Sequence, residues 1–97
     1  MPLETRPFDP ALYLDSEEAV VAYLNEALAT GDAAFVADAL GVVARARGMA
    51  GVAERAGLSR ESLYRSLSAG GNPEFATVLR VFDALGLRLE TSKAAAA

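Results

Sequence analysis

Glycines at positions 31, 48, 57, 70, 71 and 86 divide the chain into short segments, and in the longer ones apolar residues recur three and four apart. Glycine gives up the most backbone freedom on entering a helix, so such positions mark helix ends, and the spacing predicts a succession of short helices. Val20, Tyr23, Leu24, Ala27 and Leu28 form the stripe of a first helix over 16–29, opened by the capping-box pair Asp15 and Glu18 and closed at Gly31. Asp32 caps a second over 33–46, in which Val36, Ala39, Leu40 and Val43 line one face while Phe35 and Val42 widen it. Residues 49–56 make two turns between Gly48 and Gly57, and Ser59 caps a fourth helix over 60–68 with Leu63 and Leu67 inward. Asn72 is placed to cap, and Pro73 to take the first position of, a fifth helix with the stripe Phe75, Val78, Leu79, Phe82 and Leu85. The stretch "LRLE" at 87–90 alternates with period two, which admits a short terminal strand.

The expected fold is all-α. A chain of 97 residues has room for one core, placed here over 15–90. Residues 1–14 contain Pro2, Pro7 and Pro10 and read as an extended arm with Phe8, Tyr13 and Leu14 as apolar anchors. The tail "TSKAAAA" at 91–97 has no apolar face to bury and is expected to be flexible. The chain has no Cys and no His, which removes disulfides, thiolate nucleophiles, imidazole bases and the usual zinc ligands together. Glu17 and Glu18 are adjacent, so they point to different sides of a helix and suit its positive N-terminus better than paired acid–base work. With no Gly-rich phosphate loop either, the expectation is a non-enzyme holding no cofactor and no metal. The start lacks a basic region followed by an apolar run, and nowhere do about eighteen apolar residues follow one another, so a cytoplasmic protein with no membrane partner is expected.

The net charge of −4 hides a segregation. Residues 1–44 hold eight carboxylates against Arg6, a balance of −7, whereas residues 45–70 hold Arg45, Arg47, Arg55, Arg60 and Arg65 against Glu54 and Glu61, a balance of +3. An acidic half and a basic centre suit two different partners, although solvated helix faces are a competing explanation.

Residues 49–68 have the spacing of a helix-turn-helix. Ala53 is small where two helices cross, Gly57 permits a left-handed turn, and Leu63 buries the second helix against the first, with Val52, Ala56 and Leu58 filling inner positions. Three residues after Leu63 a further apolar residue is usual; here Ser66 stands there and Leu67 is left to do the packing. Such a motif presents the helix capped by Ser59 to the DNA major groove. Ser59, Arg60, Glu61, Tyr64 and Arg65 then face outward: the arginines match guanine O6 and N7, Glu61 matches cytosine N4, and the hydroxyls of Ser59 and Tyr64 match phosphate. Arg47 adds a nearby cation, whereas Gly51 leaves the start of the first helix without a polar side chain for phosphate. The competing reading is that Glu61 and Arg65, four apart, pair on an exposed face.

The stretch "VAERAGLSRESLYRSLSAGGNPEFATVLRVFDALGLRL", 52–89, resembles the addiction-module antidote proteins, a branch of the Cro/repressor-type (XRE) helix-turn-helix family, and "FDPALYL" before an acidic helix is similar to the start of such proteins. The resemblance implies a five-helix, lambda-repressor-like domain and a HigA-type antitoxin that binds operator DNA, represses its own operon and neutralises a RelE-like ribonuclease toxin. A basic toxin of that kind would meet the acidic half, with Phe8, Tyr13, Leu14, Glu17 and Glu18 as the candidate contacts. A twofold homodimer is expected, because one recognition helix reads too few base pairs. The alternative is a stand-alone XRE-type regulator or phage-type repressor with no toxin.

Overall fold

The computed structural model describes residues 14–68 and 70–95, and among these the chain forms five α-helices and no strand. They are α1 (Glu17–Ala29), α2 (Ala33–Arg47), α3 (Met49–Ala56), α4 (Arg60–Ser66) and α5 (Phe75–Ala84). The helices expected over 33–46 and 49–56 lie within one residue of these bounds, while α4 stops two residues short of Ser68. Helix ends follow local chemistry. Asp32 accepts from the backbone N–H groups of Ala34 and Phe35 at 3.0 and 3.3 Å, and Ser59 from that of Ser62 at 3.0 Å, so both caps satisfy otherwise free backbone donors at helix starts. At the end of α3, Leu58 N–H donates to Ala53 and Gly57 N–H to Glu54, a pair of bonds that requires a left-handed residue; Gly57 supplies it at φ 73°.

Two of the expected caps are wrong. Ser16, not Asp15, caps α1: its hydroxyl accepts from Ala19 N–H at 3.0 Å, and a side chain one residue earlier does not hold that position. α5 begins at Phe75 rather than Pro73, because Glu74 keeps ψ at 153°, an extended backbone that excludes it and the residues before it from the helix.

The core is apolar throughout, with Val20 from α1, Leu40 and Val43 from α2, Val52 from α3, Leu63 and Leu67 at α4, and Val81 from α5 all fully buried. No polar or charged side chain is buried among the described residues. Helix α3 is the hub, packing on α2, α4 and α5, while α1 leans on α2. Gly41 in α2 lets α4 close in, since a β-carbon there would collide with the Leu67 carbonyl oxygen.

Three apolar stripes are narrower or rotated relative to expectation. Leu28 and Phe35, at 38% and 47% exposure, stand on the surface instead of lining α1 and α2. On α5 the inward row is Val78, Val81, Phe82 and Leu85, so Phe75, at 70% exposure, and Leu79 face out. The expected strand at 87–90 is an extended segment without ladder bonds: Leu87 and Leu89 pack partly against the core, so the alternation reflects one face on the helices and not pairing with another strand.

Candidate nucleic-acid interface

The two helices around Gly57 fix a single outward face. Leu63 at 0% and Leu67 at 1% exposure lock α4 onto the core, and at helical spacing this turns Arg60, Glu61, Tyr64 and Arg65 to the surface. Leu67 therefore takes the packing place that Ser66, half-buried, does not fill. Tyr64 is 45% exposed, a large ring with a hydroxyl tip standing between two arginines along the helix. Ser59 at the start of α4 uses its oxygen lone pair to cap Ser62 N–H and keeps its own O–H as a donor. Among the described residues Glu61 and Arg65 make no ion pair, so the competing explanation of that spacing has no support in the side-chain geometry.

The rest of the basic centre is dispersed. Arg55 turns to α5, its Nε donating to the Ala84 carbonyl at 3.1 Å, where a cation also complements the negative end of that helix. Its Nη1 lies 3.6 Å from where a β-carbon on Gly51 would stand, so a guanidinium covers the position that lacks a polar side chain of its own. Arg47 reaches to α1, where its Nη2 donates to Glu17 Oε1 at 2.8 Å. Arg45 lies in the field of Tyr23: burial pushes the Tyr23 hydroxyl above the usual tyrosine range, the Asp38 carboxylate adds to the rise, and Arg45 opposes it.

The residues expected to meet a protein partner divide differently. Glu17 and Glu18 are exposed in the first turn of α1. Leu14 is in the core and presents little surface. Phe8 and Tyr13 lie outside the described residues. The Arg47–Glu17 pair was not anticipated; the signal available was an acid in the first turn of one helix and a base in the last turn of the next, which an antiparallel hairpin brings together. Among the described residues no helix is long and apolar enough to cross a membrane.

A family model described as "Probable addiction module antidote protein" matches residues 4–93. The chain is similar to an uncharacterized protein of Haemophilus influenzae, with 46% identity over 90 residues that cover 93% of each chain. No solved structure matches.

Proposed function

The chain belongs to the family of probable addiction module antidote proteins, and from that premise we propose that it is the DNA-binding antitoxin of a type II toxin–antitoxin module. In this reading α3, the turn at Gly57 and α4 are a helix-turn-helix of the lambda-repressor-like, XRE and HigA type. The observation that carries it is the lock of Leu63 and Leu67, which sets Arg60, Glu61, Tyr64 and Arg65 on one outward face of a helix capped at Ser59. Laid in a major groove, Arg60 and Arg65 fork onto guanine, Glu61 accepts from cytosine, and Ser59 and Tyr64 hold phosphates. Arg47 joins the phosphate contacts when it releases Glu17. Two copies related by a twofold axis read half-sites about 34 Å apart, and repression of the chain's own operon follows from occupying that operator.

The partner to be neutralised is a RelE-like ribonuclease. An enzyme that grips RNA carries a basic surface, and the charge of −7 over residues 1–44 suits steering toward it, with Glu17 and Glu18 in the exposed first turn of α1. Phe8 and Tyr13 would supply the apolar contact that gives such a complex its residence time. The chain acts by binding in the cytoplasm and catalyses nothing. The test is to express the chain with the protein encoded beside it and to footprint the purified product on the DNA upstream of the pair. Stoichiometric co-purification with a small basic protein and a palindromic footprint are expected. A footprint without any co-purifying protein leaves a stand-alone regulator, and neither result leaves no part of the reading.

A further inference from the structure

Helix α1 carries two apolar stripes. Val20, Leu24 and Ala27 form the buried one. Val21 and Leu28, two turns apart and 39% and 38% exposed, form a second on the outer side, with Ala22 and Asn25 between them. A helix that had only to pack on its own domain needs the first stripe alone. Between the outer stripe and the extended segment 87–90 lies a recess of about 180 Å³, lined by Val21, Leu24, Leu28, Phe82, Leu87 and Leu89. We infer that this face is a docking site for a basic protein, which seats one apolar side chain in the recess and sets its Lys or Arg side chains on the carboxylates around it.

Charge selects the occupant. Residues 14–29 hold Asp15, Glu17, Glu18 and Glu26 and no Lys or Arg, and Glu90 stands at the rim of the recess. Arg47 holds Glu17 and Arg88 reaches Glu90, so five carboxylates stand against two guanidinium groups. Glu18 lies three residues before Val21, and the two line one shallow depression with Ala22 and Asn25, which joins the acidic first turn to the apolar recess. A nucleic acid or an anionic membrane is repelled here, and two copies of the chain meeting through this face would bring like charges together. A basic protein uses both features: its cations steer the encounter, and one apolar anchor in the recess slows its departure. The inference rests on the toxin partner in the reading above and deepens it, giving Glu17 and Glu18 an apolar seat on α1 that does not depend on Phe8 or Tyr13.

The experiment follows association with, and dissociation from, the purified protein encoded beside the chain. The full chain is compared with Val21→Lys, Leu28→Lys, Glu18→Gln and, as a control on α5, Phe75→Lys. All four positions are exposed, so the variants should melt as the parent does. Val21→Lys and Leu28→Lys should weaken the complex at least about thirtyfold, mostly through faster dissociation, and Phe75→Lys should leave it unchanged. Glu18→Gln should slow association and make it less dependent on salt, with little change in dissociation. Should a lysine variant melt early, Glu18→Gln decides. Binding by both lysine variants equal to that of the parent, or association and salt dependence unmoved by Glu18→Gln, overturns the proposal and leaves the toxin reading standing. A parent that does not bind the neighbouring protein removes the toxin reading and this inference with it. If Val21→Lys instead changes the sedimentation of the chain alone, the face is a contact between copies and the proposal falls.

Discussion

The Arg47 guanidinium and the Glu17 carboxylate meet at 2.8 Å and join the last turn of α2 to the first turn of α1. The contact links a residue proposed for DNA with a residue proposed for a protein partner, so the two proposed surfaces adjoin at this pair. With side-chain exposures of 32% and 58% the pair is solvated, and its contribution to stability is below about 1 kcal/mol. Glu17→Gln should therefore leave denaturant unfolding almost unchanged while releasing Arg47, and operator binding should strengthen with a salt dependence steeper by about one counterion. Equal affinity and slope would mean that Arg47 touches no phosphate.

Two glycines inside helices should respond in opposite directions to alanine. At Gly41 the added β-carbon meets the Leu67 carbonyl, a backbone atom that cannot swing aside, and Gly41→Ala should cost about 1–3 kcal/mol or more through overpacking. At Gly51 the nearest atom is the flexible end of Arg55 at 3.6 Å, and Gly51→Ala should gain up to about 1 kcal/mol from the lost freedom of the unfolded chain. Urea unfolding of both variants checks this, and equal effects would contradict the packing of α4 on α2.

Tyr23 predicts an alkaline limit to stability. Its hydroxyl titrates above the ordinary tyrosine value, chiefly through burial and secondly through Asp38. A raised acid favours the fold in its neutral form, so that stabilisation is complete below the unfolded value of about 10 and is lost as pH rises through the folded one. Asp38→Asn should bring the tyrosinate absorbance of one of the three tyrosines to lower pH. An unmoved titration would remove Asp38 as a cause.

Leu14 separates stability from partner binding. It is 9% exposed and belongs to the core, so Leu14→Ala should cost about 2 kcal/mol in unfolding free energy. Deleting residues 1–13, which keeps Leu14, should preserve cooperative melting and operator binding while abolishing rescue of growth from the toxin. Intact rescue by that truncated chain would move the toxin contact off Phe8 and Tyr13.

Much of this was legible because caps and turns are local. Asp32, Gly57 and Ser59 each act on atoms within five residues, and each sits where the sequence placed it. The burial of Leu63 and Leu67 followed from helical spacing on a segment already bounded at both ends. What failed was decided by distant neighbours. Phe75 and Val81 are both apolar on α5, and only the position of α3 determines that Val81 faces in and Phe75 out. Alternation at 87–90 is the same for a paired strand and for a strap lying on helices, and Leu87 and Leu89 pack as the strap. The arginines of the basic centre could be counted but not followed: Arg55 turns to the Ala84 carbonyl and Arg47 to Glu17, which leaves Arg60 and Arg65 on the outward face of α4.

Titration of operator DNA with the parent chain, Arg60→Ala and Arg65→Ala, each at two salt concentrations and against scrambled sequence, tests the central claim most directly. If α4 reads the major groove, each substitution should cost about 1–3 kcal/mol on the operator and much less on scrambled DNA, with relaxed preference at one position per half-site. An arginine that touches only phosphate would instead weaken both DNAs alike and lower the salt slope by about one. Operator binding unchanged by both substitutions would contradict the account, because the outward face fixed by Leu63 and Leu67 would then not be the reader.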